Sequence, residues 1–72
     1  MLNHKQVIYW MTKAAEQEDA FAQLMLGDMY LRGEVTLVDK KKAAYWIRKS
    51  YENGCDEAKK VWEKNKLWQY AD

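Results

Sequence analysis

His4 and Cys55 are the only histidine and the only cysteine of this sequence, and these residue types often act as bases, nucleophiles or metal ligands. A zinc site needs about four ligands, and a catalytic nucleophile needs a base held beside it. Neither residue has a second histidine or cysteine to complete such a set. We therefore interpret His4 as a helix-start residue at the edge of the core. Cys55 is interpreted as a small helix-boundary residue, although a thiol at a helix start can gain thiolate character.

The acidic residues and the glycines form no catalytic pattern either. Aspartates and glutamates are spread among lysines, as on solvated helix faces, and no two stand as a matched acid and base. Gly27, Gly33 and Gly54 occur singly, so no phosphate-binding loop is indicated. The sequence predicts a protein that is not an enzyme, with no catalytic residue, no metal and no cofactor.

A basic cluster in the middle of the chain could bind an anion. Its members surround Tyr45 and are Lys40, Lys41, Lys42, Arg48 and Lys49. Basic residues beside an aromatic ring can bind RNA or single strands. The net charge of +1, however, gives the molecule no overall attraction to nucleic acid. Nucleic-acid binding is therefore a less favoured alternative to an ordinary solvated helix face.

The four tryptophans and five tyrosines could form a cage for a cation, or they could fill the core of a small domain. Trp10 and Trp46 recur at one helical position, which is typical of core residues. Trp68 and Tyr70 lie near the chain end and either seal the last helix or anchor a partner. Packing is the favoured interpretation for both pairs.

Length and composition limit the class of protein. A chain of 72 residues forms one domain, residues 1–72, and its single cysteine fits a reducing compartment such as the cytoplasm. No apolar run approaches the roughly 20 residues that a membrane span needs. The first residues lack the order of a signal peptide. We therefore expect a cytoplasmic protein with no membrane partner.

The elements that position these side chains repeat along the chain. A shift of 36 residues superposes six identical residues between positions 3 and 22 and their counterparts, among them Trp10 on Trp46 and Ala22 on Ala58. Apolar periodicity then predicts an all-α fold of four antiparallel helices, at about 4–17, 20–32, 40–53 and 56–70. Asn3, Asp19 and Asp39 are their predicted N-caps.

A further group of residues is predicted to build the packing and the turns. Gly33 and Gly54 should end helices, and Gly27 should let the second helix approach a large aromatic residue. The predicted structural residues are Trp10, Ala22, Leu26, Gly27, Tyr30, Gly33, Asp39, Ala43, Trp46, Gly54, Ala58 and Trp62.

The two ends of the predicted stack differ. The second helix is apolar on two sides, so it should be covered on two sides. In the fourth helix the second stripe becomes polar at Asp56, Lys60 and Glu63, which indicates a closed end. The first helix keeps a wide apolar arc but has only one neighbour in sequence. Its side marked by Ile8 and Ala15 should be exposed unless another chain covers it.

The repeat resembles the Sel1-like repeat. The resemblance rests on the residues Ala22, Gln23, Leu26, Gly27, Met29, Tyr30 and Gly33, followed by Asp39, Lys42, Ala43, Trp46 and Lys49. It implies half a repeat, one full repeat and another half, folded as an α/α superhelix related to tetratricopeptide arrays. It also implies a non-catalytic adaptor that binds other proteins. Because so few repeats make no long groove, end-to-end association is the favoured mode.

Two surfaces are candidates for partner binding. One is the uncovered side of the first helix, with Ile8, Met11 and Ala15, where another protein or a second copy could bind as a homodimer. The other surface lies on the second helix and consists of Phe21, Leu24, Asp28 and Leu31. The apolar stripe of this surface could instead pack on the fourth helix. A small immunity or inhibitor protein with one dedicated enzyme or toxin is an alternative function.

Overall fold

Helices make up the regular structure of the chain. The computed structural model describes residues 3–71 and contains α1 (His4–Glu16), α2 (Ala20–Arg32), α3 (Lys40–Glu52) and α4 (Asp56–Lys64). A short 3₁₀ helix, Leu67–Gln69, follows α4, and the described residues contain no strand. The prediction of an all-α fold is confirmed. The first three helices end within one residue of their predicted bounds.

Side-chain caps fix where the first three helices begin. Asn3 Oδ1 accepts a bond from the Gln6 backbone N–H at 2.8 Å, and Gln6 Oε1 accepts one from the Asn3 backbone N–H at 3.0 Å. This capping box satisfies two of the backbone donors that a helix start leaves free. Asp19 and Asp39 are simple N-caps: the Asp19 carboxylate accepts from the backbone N–H groups of Phe21 and Ala22, and the Asp39 carboxylate accepts from that of Lys42. Cys55 precedes α4 and makes no side-chain cap.

Residues in the left-handed region end the helices. Gly33 and Gly54 have φ values of +69° and +101°, as expected of glycines that follow a helix. Glu18 stands one repeat before Gly54 and has φ +65° without being glycine. Its side chain offsets the strain, because Oε2 accepts a bond from Asn53 Nδ2 at 2.9 Å and Oε1 lies 3.8 Å from Lys49 Nζ.

The fourth helix is shorter than predicted. The predicted helix ran to Tyr70, whereas α4 ends at Lys64 and Lys66 adopts φ +52°. This left-handed residue turns the chain, and the residue after it, Leu67, is fully buried in the core. The apolar stripe that indicated one continuous helix therefore belongs to two elements.

We expect Lys66→Gly to stabilise the chain. A non-glycine residue in the left-handed region costs roughly 1–2 kcal/mol, which glycine would relieve. Because glycine is more flexible in the unfolded chain, about half of this gain in stability is cancelled. The expected net increase in the free energy of unfolding is about 0.5–1 kcal/mol, measured by urea denaturation. Lys60→Gly, inside α4, is the control and should cost about 1 kcal/mol. A Lys66→Gly variant less stable than the parent would contradict the assigned backbone conformation.

The core consists of two clusters that share α2. The first joins α2, α3, α4 and the 3₁₀ helix through Leu24, Ala44, Ile47, Ala58 and Leu67. The second joins α1 and α2 through Ala15, Ala22 and Leu26. The two apolar stripes of α2 therefore face two different neighbours, as the sequence predicted.

Gly27 lies at the closest approach of α2 to α3. A Cβ atom on Gly27 would stand 2.6 Å from Ile47 Cδ1, 2.7 Å from Ile47 Cγ1 and 3.3 Å from the Ala43 carbonyl oxygen. The prediction that Gly27 faces a large aromatic residue is wrong. The neighbouring aromatic residue, Trp46, packs on the other cluster instead.

Candidate interaction surfaces

Positions that are buried on α3 are half-buried on α1. Ala43, Ala44, Ile47 and Ser50 are all buried. Their counterparts 36 residues earlier, all half-buried, are Val7, Ile8, Met11 and Ala14. The difference arises because α3 packs on both α2 and α4, whereas α1 packs chiefly on α2 within residues 3–71. One side of α1 is therefore open to solvent.

The open side is not the side that the sequence marked with Ala15. Ala15 is fully buried against Ala22 and Leu26, so the prediction that it is exposed is wrong. Ile8 and Met11 are half-buried and touch the same cluster, so each reaches both the core and the surface. The physical reason is that Ala15 lies on the side of the apolar arc that α2 covers.

Trp10 is the largest apolar residue on the open side. It is 59% exposed, although the sequence predicted a core position. Its counterpart Trp46 packs against the Ala15–Ala22–Leu26 cluster, whereas no described helix lies where Trp10 points. Tyr9 stands edge-on to Trp10, with ring centroids 5.2 Å apart.

Four residues on the uncovered side of α1 form a surface that we call the α1 open surface. Its members are spaced i, i+3, i+4 and i+7, so they share one helix face, and they are Val7, Trp10, Met11 and Ala14. The surface is apolar, and Lys13 and Tyr9 lie at its edge, with Lys13 Nζ 5.5 Å from the centroid of the Tyr9 ring. An exposed indole beside half-buried aliphatic groups is the composition of a protein-binding patch.

The second predicted surface is mostly core. Leu24 is buried with Ala58 and Leu67, and Leu31 packs against the same cluster, so the prediction that these two leucines bind a partner is wrong. The stripe of α2 that contains Leu24 and Leu31 packs on α3 and α4. Packing on the fourth helix was the alternative interpretation from the sequence. Asp28 is half-buried and its Oδ2 lies 3.0 Å from Arg32 Nε. Phe21 is 67% exposed.

The remaining structural residues occupy core and turn positions. Ala22, Leu26, Ala43 and Ala58 are buried. Tyr30, Trp46 and Trp62 are half-buried at the edges of the two clusters.

Sequence reasoning missed a buried polar network that joins three helices. Gln23 is fully buried; its Nε2 donates to the Ala15 carbonyl at 2.9 Å, and its Oε1 accepts from Asn53 Nδ2 at 3.0 Å. Ser50 is also buried, and its Oγ donates to the Ala20 carbonyl at 2.6 Å. The available signal was the place of Gln23 between the two apolar stripes of α2, because a glutamine buried there needs hydrogen-bond partners.

The lysines of α3 do not form one free patch. Lys49 Nζ lies 3.8 Å from Glu18 Oε1, and Arg48 Nε lies 3.4 Å from Glu52 Oε2. The lysines of the first turn of α3 also point to different rings. Lys40 Nζ lies 5.5 Å from the centroid of the Tyr70 ring, and Lys42 Nζ lies 5.5 Å from that of the Tyr30 ring. Positive charge is therefore spread around α3 and partly neutralised. A cavity of about 340 Å³ beside Tyr45 and Tyr70 is lined by basic residues, namely Lys41, Arg48 and Lys49, and by the acidic Glu52.

His4 and Cys55 take the positions expected of structural residues. His4 is the first residue of α1 and is exposed. Cys55 is half-buried and packs against the cluster of Leu24 and Ile47. Among residues 3–71, no three histidine, cysteine, aspartate or glutamate side chains come together as a metal site would require.

A protein-family model for the Sel1 repeat matches residues 3–19 and 20–55, well over half of the chain. The chain belongs to the Sel1 repeat family. The first match contains α1, and the second contains α2 and α3. No curated protein and no solved structure matches the chain.

The internal repeat of 36 residues makes α1 and α3 counterparts, and the Sel1 repeat match over residues 20–55 covers α2 and α3 together. This equivalence explains why Trp10 and Trp46 share a position but differ in burial. Sel1 repeats are generally protein–protein interaction modules. No helix in the described part of this Sel1 repeat chain has the length and apolarity to span a membrane.

Proposed function

We propose that this Sel1 repeat chain is a non-catalytic adaptor that binds another protein through the α1 open surface. One observation carries the proposal: the residues of this surface are half-buried or exposed, although their counterparts on α3 are buried by α2 or packed on the core. Three of the four positions are apolar on both helices, and the fourth is Ala14 on α1 and Ser50 on α3. A partner would therefore cover this face of α1 in the way that α2 covers the equivalent face of α3.

The contacts of α3 indicate the kind of partner. Gly27 of α2 lies directly over Ile47, and Met11 is the α1 counterpart of Ile47. A helix with a small residue at its centre could approach Met11 equally closely. Met is flexible and accepts differently shaped partners, and the exposed Trp10 ring supplies a large area for burial.

The partner is another protein or a second copy of this chain. In a homodimer the α1 open surfaces of two copies would face each other across a twofold axis, with Trp10 near the centre. A dedicated immunity or inhibitor function would use the same surface on a single enzyme. Cys55, the only cysteine, is consistent with action in the cytoplasm.

We expect Trp10→Glu to abolish association. Truncating a central aromatic residue of an interface costs about 2 kcal/mol or more, which is roughly thirtyfold in the dissociation constant. Sedimentation gives the self-association of the purified protein, and co-purification from the native host gives the partner. Tyr45→Glu is the matched control, because Tyr45 is an exposed aromatic residue of α3 outside this surface.

Circular dichroism should show the same helix content in both variants, since Trp10 and Tyr45 are both exposed. A single enzyme recovered in stoichiometric amount would favour the inhibitor function over a general adaptor. A parent protein that stays monomeric and binds the same proteins as Trp10→Glu would disprove the proposal.

A further inference from the structure

An aromatic recess lies at the other end of the stack. It is a cavity of about 470 Å³ lined by the rings of Tyr51, Trp62 and Trp68, which come from α3, α4 and the 3₁₀ helix. Tyr51 and Trp68 are 46% and 52% exposed, and Trp62 is half-buried. The volume is in the range of small-molecule pockets, about 300–1,000 Å³.

The rim of the recess carries balanced charge. Its charged members are Arg48, Glu52, Lys59 and Glu63. Arg48 and Glu52 neutralise each other, with Nε and Oε2 3.4 Å apart, which leaves one lysine and one glutamate. Because this lysine and this glutamate balance, the rim adds no net attraction for a cation, and the three rings can stack on a neutral aromatic group.

The internal repeat indicates what could cover this recess. Trp62 and Tyr51 stand 36 residues after Leu26 and Ala15. In the first unit the cluster that contains Leu26 and Ala15 is covered by the indole of Trp46, which a neighbouring helix carries. Beside α4 the 3₁₀ helix contributes Trp68 to the wall of the recess, and no residue of α1 or α2 lines it.

We infer that the recess binds the indole of a tryptophan that a helix of a partner protein presents. The Tyr51, Trp62 and Trp68 rings offer edge and face contacts to an indole. Glu63 is the rim group that could accept its N–H. This site is separate from the α1 open surface, so it goes beyond the proposed function.

The test follows the four indole N–H signals of the labelled protein by NMR during titration with N-acetyltryptophanamide. We expect the Trp62 and Trp68 signals to shift, while the Trp10 and Trp46 signals serve as internal references. Trp68→Ala should weaken binding about tenfold through the lost ring contact. Trp62→Leu should weaken it similarly while keeping the fold, because leucine occupies the equivalent position 26. Trp10→Ala should bind like the parent.

Other results have defined meanings. Uniform shifts of all four signals, or unchanged affinity in Trp68→Ala, would overturn the inference. Tetramethylammonium shifting the same two signals at lower concentration than N-acetyltryptophanamide would assign the recess to cations and also overturn it. A Trp68 shift that depends on protein concentration and disappears in Trp10→Ala would support it and identify a second copy as the partner. Failure here leaves the Trp10→Glu experiment unaffected, so the two proposals fail separately.

Discussion

Gly27→Leu is expected to lower the free energy of unfolding by about 3 kcal/mol, near the top of the range for over-packed cores. The first added carbon would already stand 2.6 Å from Ile47 Cδ1, and Ile47 is fully buried and has little room to move. The leucine side chain places three more carbons beyond that point. For a domain of this size, such a loss lowers the melting temperature by roughly 10 °C or more, which thermal denaturation followed by circular dichroism would measure.

A double-mutant cycle with Ile47→Ala isolates the contact. Gly27→Ala alone should destabilise the chain, although alanine is favoured over glycine in a helix by about 1 kcal/mol. In the Ile47→Ala background the same Gly27→Ala change should be neutral or stabilising, because the colliding atoms are gone. Gly27→Leu melting at the temperature of the parent would show that α2 and α3 are not this close.

Gln23→Ala is expected to cost about 2–4 kcal/mol in the free energy of unfolding. The change removes one of the two donors of the buried Ala15 carbonyl, which keeps the Glu18 backbone N–H at 3.2 Å. Each lost hydrogen bond costs about 0.5–1.5 kcal/mol, and the truncation also opens a cavity between the helices. It also removes one of the two acceptors of Asn53 Nδ2. Urea denaturation with linear extrapolation measures the change.

Two variants separate the causes of this loss. Gln23→Met keeps most of the volume, so its cost should come from the hydrogen bonds and be smaller than that of Gln23→Ala. Gln17→Ala, at an exposed glutamine after α1, should change stability by less than about 0.5 kcal/mol. If Gln23→Ala were as harmless as Gln17→Ala, the polar network would not hold the three helices together.

The features that could be predicted from sequence are those that depend on local pattern. Asn3, Asp19 and Asp39 are capping residues by type and position, and the two stripes of α2 follow from periodicity. The end of α4 could not be predicted in this way, because the left-handed residue is Lys66 and no glycine marks the turn. Tertiary packing of Leu67 outweighs the local preference there.

The sequence predicted that α1 has an uncovered side, but it chose that side wrongly at Ala15. The apolar arc of α1 is wide enough for two neighbours, and sequence alone does not say which side α2 covers. Ala15 was therefore placed on the wrong side. Trp10 shows the same limit, since it repeats Trp46 in type and position and differs only in what packs against it. The buried counterparts on α3 settle the side, and they are known only from the structure.

The division of the core into two clusters makes the resistance of the molecule to local opening uneven. Detachment of α1 would break the Ala15–Ala22–Leu26 cluster and wet the indole of Trp46, but Leu24, Ile47 and Leu67 would stay enclosed. Such a partial opening costs less than complete unfolding. A partner seated on α1 would therefore do more than occupy a surface, because it would hold α1 against detachment and raise the free energy of this partial opening.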